Sequence, residues 1–339
     1  MTIHTKQVKK NAYRITKQRG KTALRIRVPG GHLEVKYFDI IKDIAERYGD
    51  GSVHITIRQG FEIPGIDFDN MEEINKMIQP ILQGLELDRG VNIEEIEKGY
   101  PAAGTRNVSA CIGNKVCPFA NYNTTDLAIK IEKAIFPNHR HVKIACTGCP
   151  NDCIKAHMQD FGIIGQVEPV YDMSRCVGCE ACVKNCKKRV TGALTMENYK
   201  VRRDEDRCIG CGECINKCPT GAWSRNPEKF FKVVIMGRTG KRNPRLAQPF
   251  LEWVDEETAI KIITNTYTFI EEYIDKEAPG GKEHIGYIVD RTGYQIFKEY
   301  ALADVKLGPK AKVAKYIDFG GYKYERNIHF DKPNESSNK

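Results

Sequence analysis

Several features that would each have set a function are missing from this chain. No apolar run in its 339 residues is long enough to cross a bilayer, so no membrane span is expected. The opening, Met1-Thr-Ile-His-Thr-Lys-Gln-Val-Lys-Lys10, lacks the hydrophobic stretch of a signal peptide, which predicts a cytoplasmic protein. No Gly-rich loop with an acidic partner follows a strand-like run, so the chain is not expected to oxidise a nicotinamide itself. Aromatics are 9% of residues, and the two tryptophans, Trp223 and Trp253, read as core. Few aromatics interleave with the scattered Lys and Arg, and the formal charge of +9 ignores bound anionic groups. Nucleic acid is therefore not an expected partner.

Cysteine is abundant instead. Thirteen of them, odd in number and clustered, argue for metal ligation in a reducing compartment rather than for disulfides. Eight form two runs, Cys176-x2-Cys179-x2-Cys182-x3-Cys186 and Cys208-x2-Cys211-x2-Cys214-x3-Cys218-Pro219. In the two-cluster ferredoxin pattern each cluster takes three ligands from one run and its fourth from the other. Cys176, Cys179, Cys182 and Cys218 are thus assigned to one 4Fe-4S cluster, and Cys208, Cys211, Cys214 and Cys186 to the second. Gly178, Gly210 and Gly212 supply the tight turns this wrapping demands. A structural zinc site is the competing reading. Lys187 stands where the pattern usually has proline, a change expected to act on that cluster's potential more than on its existence.

Two further pairs, Cys111-x5-Cys117 and Cys149-x3-Cys153, can converge on a third cubane. Cys117 is followed by Pro118 and Cys149 by Pro150, which predicts helix N-termini beside the sulfurs. Cys146, the thirteenth cysteine, reads as a buried apolar residue near that cluster.

Along the chain, strands are expected at 22–29, 52–58 and 61–66, and helices at 37–48 and at 70–83 behind an Asp69 cap. A helix running to about 135, strands at 161–167 and 230–236 and a helix at 256–275 complete an α+β reading. The ferredoxin-type segment lies between the last two strands, as an insertion into the loop joining them. From about 320 the chain is polar and disorder is expected.

With these patterns in view, the sequence resembles the sulfite and nitrite reductase family that couples siroheme to a 4Fe-4S cluster. The resemblance rests on Cys111-Ile-Gly-Asn-Lys-Val-Cys117 and Thr147-Gly-Cys-Pro-Asn-Asp-Cys153. Leu24-Arg-Ile-Arg-Val-Pro-Gly-Gly31, Thr56-Ile-Arg-Gln59, Thr105-Arg-Asn-Val108 and Val234-Ile-Met-Gly-Arg-Thr-Gly-Lys-Arg242 add to it. It implies siroheme sulfite reductase-like domains with an inserted ferredoxin-type domain. The implied order is a ferredoxin-like unit at 1–70, a siroheme and 4Fe-4S domain at 71–170 plus 221–305, the two-cluster insertion at 171–220, and a partly disordered extension at 306–339.

The resemblance also implies roles. Cys111, Cys117, Cys149 and Cys153 would hold a cubane, with Cys153 also the axial ligand of the siroheme iron. Arg25 and Arg106 would bind the anion, and His141 and Lys143, beside Arg140, align with a family lysine pair; His141 is a departure that could donate a proton near neutral pH. Arg58, Gln59, Arg238 and Arg242 would engage siroheme carboxylates, with Arg27, Thr147, Asn151 and Gly237 also at the cofactor. On its own residue pattern Arg27 reads as a solvated or salt-bridged strand position. His4, His32, His54 and His157 read as structural or surface.

The implied function is the catalytic subunit of an anaerobic, dissimilatory-type sulfite reductase: six-electron reduction of sulfite to sulfide, fed by two ferredoxin-type clusters. Implied cofactors are siroheme and three 4Fe-4S clusters; implied partners are iron–sulfur and flavin/NADH subunits that donate electrons. Nitrite reduction to ammonia and a non-catalytic polyferredoxin are the alternatives.

Overall fold

The computed structural model describes residues 13–91, 107–136, 140, 142–240, 244–278 and 283–317. Arg106, His141 and Arg242, singled out above, lie outside the described residues, as does the polar end from 318.

The first unit is built on Tyr13–Ile15 (β1), Lys21–Ile26 (β2), His54–Ile55 (β3) and Phe61–Asp67 (β4), an antiparallel sheet ordered β1-β2-β4-β3. Phe38–Arg47 (α1) covers it with Ile41, Ile44 and Ala45, an i, i+3, i+4 stripe. The helix expected at 70–83 is two helices, Met71–Met77 (α2) and Gln79–Leu85 (α3). Pro80 lacks the N–H that a continuous ladder would need, and it suits the first turn of α3. Asp69 does not cap; it sits inside a single 3-10 turn, Phe68–Asn70. Ile74, Ile78, Ile81, Leu82 and Leu85 share one core with Leu24, Ile26 and Ile63, so this unit continues past residue 70.

The alternation at 52–58 pairs only over His54–Ile55. Beyond it the chain turns back: Thr56 N–H donates to the Gly60 carbonyl at 2.8 Å, and Gly60 N–H to Thr56 Oγ1 at 3.1 Å. Arg58 and Gln59 are thereby carried on a loop tip rather than on a strand.

The second unit is a six-stranded sheet. Its strands are Ser109–Ala110 (β5), Ile144–Thr147 (β6), Phe161–Gln166 (β7), Phe230–Ile235 (β12), Gln248–Val254 (β13) and Lys312–Val313 (β14). Their order across the sheet is β14-β13-β12-β7-β6-β5. β5, β6 and β7 run parallel; the rest are antiparallel. One face is covered by Thr124–Ile135 (α4), Glu256–Tyr273 (α7), Ile285–Thr292 (α8) and Tyr294–Ala301 (α9), through Leu127, Ile131, Ile263, Phe269, Ile288 and Phe297. Asn123 and Asp255 cap α4 and α7 by accepting from the N–H groups of Asp126 and Thr258. Strands β5, β6, β13 and β14 were not among those expected from the sequence. Among the described residues no helix is long and apolar enough to cross a membrane.

β7 and β12 pair directly, Phe231 opposite Gly165, and the cysteine-rich segment leaves from one and returns to the other. Within it Pro169–Tyr171 (β8) pairs with Trp223–Arg225 (β11), and Leu194–Glu197 (β9) with Lys200–Arg203 (β10). The helices are Ala181–Arg189 (α5) and Glu213–Lys217 (α6). Lys187 accounts for their unequal length. In the second run Pro219 forces Cys218 into an extended backbone and α6 stops before it. Lys187 lets α5 continue past Cys186 to Arg189.

Candidate functional site

β5 and β6 stand side by side with Ala110 opposite Cys146, and Cys111 and Cys149 follow at their carboxyl ends. Parallel strands gather ligand-binding groups at that end. Cys111 N–H donates to the Cys146 carbonyl at 3.0 Å, and Gly148 N–H to Cys111 Sγ at 3.2 Å. A Cβ on Gly148 would stand 2.5 Å from Ala120 Cβ, so only glycine lets the loop after Cys117 close on the strand end. Asn121 N–H then reaches the Gly148 carbonyl at 2.7 Å.

Burial pushes the Cys149 thiol up, opposed by the Asn151 N–H; the charges of Cys117, Cys153 and Cys111 raise it further. All four sulfurs therefore share one electrostatic environment. Bound metal reverses this cost, because a coordinated thiol is deprotonated. The expected helix N-termini are absent: α4 begins only at Thr124, and turns follow Cys149. Backbone N–H groups in turns face the sulfurs instead. Cys146 is fully buried in the helix-covered core, and burial raises its thiol strongly, which makes it a packing residue.

In the cysteine-rich segment, Cys186, Cys208, Cys211 and Cys214 line one small enclosed cavity with Val190 and Leu194. Burial pushes the Cys211 thiol up to about 11, and neighbouring Cys208 and Cys186 add to it. Cys218 stands with the other run. Its charge raises Cys182, after burial, and opposes the lowering of Cys176 by the Tyr171 hydroxyl. Ala222 N–H donates to Cys218 Sγ at 3.2 Å. Among the described residues no three His, Cys, Asp or Glu side chains close on a single ion. A cubane asks for no such closure, since each thiolate takes a different iron. Donor sets made only of thiols, N–H groups aimed at sulfur and a cavity between four cysteines fit 4Fe-4S clusters.

The first unit contributes a cleft of about 330 Å³ whose lining includes Arg14, Arg25, Arg58, Ile57 and Glu62. Glu62 accepts from Arg14 at 2.9 Å and from Arg25 at 2.6 Å. Burial alone would raise Glu62, but these two guanidinium groups outweigh it and hold the carboxyl below its usual range. Arg27 also lines the cleft, with its guanidinium held by Glu132 from behind, and Glu62 against the other three arginines leaves the cleft cationic. Ile57, 95% exposed, gives its mouth an apolar side chain. Cationic side chains beside an exposed aliphatic suit a carboxylate-bearing macrocycle, and Cys153, exposed beside exposed Asn151, leaves its sulfur open to a second metal.

Other expected ligands have different employment. Arg27 is 2% exposed and donates to Glu132 at 2.5 Å and to Asn107 at 3.2 Å, with Glu86 at 3.6 Å. It anchors the segment leading into β5 through buried carboxylates, and it also lines the floor of the cleft. Both amide atoms of Gln59 bond the backbone of Ala110. Gly237 is packed on the chain at 157–159, where a Cβ would stand 2.4 Å from the His157 carbonyl oxygen. Arg238 is buried under α8, 3.5 Å from the Tyr287 ring and 3.6 Å from Asp290; burial and Arg245 lower its pKa. Lys143 lies at the amino end of β6, its N–H on Asp160 at 3.0 Å. The four residues of β6, roughly 13 Å of strand, separate it from the end that carries Cys149. Arg140 pairs with Glu271. Thr147 is buried and donates to the Cys149 carbonyl at 3.4 Å, shaping the cysteine turn.

Two residues of this region were missed in the sequence. Glu62 holds Arg25 in place, and no local signal marks it. Asp152, with a left-handed φ of 46°, accepts from Ala156 N–H at 2.6 Å and His157 Nδ1 at 2.7 Å, folding the chain back after Cys153. The Asn-Asp-Cys run could have flagged it as a turn former. His157, read as structural, is its partner.

Residues 102–308 match the family model described as the nitrite and sulphite reductase 4Fe-4S domain, and 14–81 match the nitrite/sulfite reductase ferredoxin-like half domain. The chain is similar to one subunit of the anaerobic sulfite reductase of Salmonella typhimurium, 43% identical over 312 residues that cover 91% of each chain. It is also 31% identical, over 286 residues, to the coenzyme F420-dependent sulfite reductase of Methanocaldococcus jannaschii, covering 83% of this chain and 42% of that one. Among solved structures, dissimilatory sulfite reductase I shares the fold, with a TM-score of 0.64 at 18% identity over 94% of this chain and 76% of that one.

Proposed function

Because this chain belongs to the nitrite and sulphite reductase family, we propose that it is the catalytic subunit of an anaerobic, dissimilatory-type sulfite reductase that takes sulfite to sulfide with six electrons. The observation that carries this reading is the junction of cleft and cysteines. Gln59, next to the cleft residue Arg58, bonds Ala110, next to Cys111. A cationic anion-binding cleft thus abuts a four-thiol metal centre.

In this reading Cys111, Cys117, Cys149 and Cys153 would hold a 4Fe-4S cluster, Cys153 would also serve a siroheme iron, and Arg58 with neighbouring cations would hold the siroheme carboxylates. When bound, the coupled pair supplies the electrons that sulfur accepts. Arg25, with Arg106, attracts the oxyanion and balances its charge. Glu62 keeps the Arg25 guanidinium oriented. His141 is the proposed proton donor, histidine being the side chain whose ordinary pKa lies near neutral pH. Residues 171–220 form the inserted module, whose two clusters bring the total to three. Iron–sulfur and flavin/NADH subunits in the cytoplasm supply the electrons.

Nitrite is the second reading, since its charge and electron demand are similar. Anaerobically purified protein should show chlorin-type visible bands and iron for three cubanes plus one. Absence of the chlorin bands would overturn the reductase reading. With an artificial reductant, sulfite should turn over faster than nitrite; the reverse order would overturn the substrate.

A further inference from the structure

We propose that the face around Cys179, built from Met173, Val177 and Tyr199, is the docking surface for an electron-carrier protein with an acidic rim. The proposal rests on the reading that the inserted module holds two iron–sulfur clusters.

The module has one side already occupied. Val167 N–H donates to the Gly210 carbonyl at 2.9 Å, and Asn216 to the Pro118 carbonyl at 3.3 Å. Arg225 donates to Asn121 and, at 2.9 Å, to the Pro118 carbonyl. The second cysteine run is thus seated on the loop that follows Cys117. The first run is left outside: Cys179 is exposed, whereas its counterpart Cys211 is only partly so. Electrons leaving toward Cys117 depart by the second run, and the first is where they enter.

The outward face has the make-up of a contact surface. Met173, Val177 and Tyr199 are 48%, 70% and 83% exposed. They are neighbours: Lys200 Nζ donates to the Met173 and Cys176 carbonyls, and Gly178 packs against Tyr199. Arg175 and Lys184 stand exposed at its edge, Lys184 engaging Glu180 and Arg202 engaging Glu197. Residues 171–225 carry eleven Lys and Arg against seven Asp and Glu, an excess that two bound clusters would offset. The cationic character therefore lies in exposed side chains such as Arg175, Lys187, Lys188 and Arg189. A small apolar centre inside a charged rim suits a transient redox encounter, which needs speed and release more than affinity.

Tyr199 is the second, independent observation. It and Asn198 form the two-residue turn between β9 and β10, both left-handed, with φ of 61° and 48°. That turn type favours glycine at the position Tyr199 holds. The tyrosine strains the backbone there and buries little of itself, so the fold does not account for it. Placement over a cluster, facing solvent, does. The step itself moves one electron: the carrier is oxidised by one and a module cluster reduced by one, with no bond or proton changed.

The test is stopped-flow bleaching of the module's visible absorption in the intact protein, with a photoreduced acidic bacterial ferredoxin as donor and dithionite as the small-molecule comparison. Tyr199→Gly relaxes the turn, so its Tm should match or exceed that of the parent while ferredoxin-driven bleaching slows about tenfold. Val177→Asp should slow it likewise, Lys42→Glu on α1 should not, and the parent rate should fall as salt rises. Dithionite rates should be unchanged throughout. Parent-like ferredoxin rates in both Tyr199→Gly and Val177→Asp, or equal slowing with dithionite, would overturn the proposal. Bleaching requires no sulfite, so a protein that accepts electrons here yet never reduces sulfite sinks the proposed function alone.

Discussion

The side-chain amide of Gln59 pairs with both backbone groups of Ala110, Nε2 donating to the carbonyl at 2.7 Å and Oε1 accepting the N–H at 2.8 Å. One side chain thereby supplies the neighbour that the edge strand β5 lacks, and Cys111 is the next residue. The first unit therefore holds Cys111 of the second in position. Gln59→Ala should cost about 1–3 kcal/mol of stability, since it leaves two backbone groups without partners. It should also lower iron retained at the four-cysteine centre. Gln59→Glu, which cannot donate, should restore only part; full iron content in Gln59→Ala would refute the linkage.

Gly148→Ala tests the close approach of the loop after Cys117. The added methyl would meet Ala120 at 2.5 Å, and the loop must move. Purified protein should lose about four irons per chain while the inserted clusters stay. Unchanged iron would show that the loop yields.

Glu86 should make stability depend on pH. Arg27 balances Glu132 at 2.5 Å, and burial then pushes Glu86 up from 4.5 to about 7, with Arg27 opposing and Glu132 adding to the rise. Between these values the folded chain keeps a proton that the unfolded chain releases, so stability falls as pH rises and levels off above 7. The full loss is on the order of 3 kcal/mol. Glu86→Gln should flatten that slope in urea titrations from pH 5 to 8. An identical slope in the variant would show that Glu86 is not its source.

Cys153→Ser should abolish sulfite reduction while the absorption of the inserted clusters persists. Retained turnover would remove Cys153 from its ligand role.

Cys146→Ala should leave iron content intact and cost about 1 kcal/mol, the loss of one buried sulfur. A missing cubane would make it a ligand.

Cysteine spacing was legible because iron–sulfur ligation fixes it locally. In the inserted module the spacing anticipated the grouping of side chains, Cys186 beside Cys208, Cys211 and Cys214, and Cys218 beside Cys182. Helices α1, α4 and α7 were legible from their apolar stripes. The strand expected over 52–58 was not, because Ile55 and Ile57 are exposed, Ile57 at the cleft, rather than packed in a core. The Pro118 and Pro150 signals misled for a related reason: at this centre the prolines shape turns, and no helix follows directly.

By itself the sequence determined which atoms could bind metal, since thiol identity and spacing are covalent facts, and it determined the family through motifs around them. Only the tertiary structure decided which cations share the cleft. Arg14, Arg25, Arg27 and Arg58 meet there, Arg27 held by Glu132, while the Gln59 amide is engaged by Ala110 and Arg238 lies beside Tyr287 and Asp290. That division depends on groups distant in sequence, such as Glu132 for Arg27 and Ala110 for Gln59, which come within hydrogen-bond reach only when the two sheets pack.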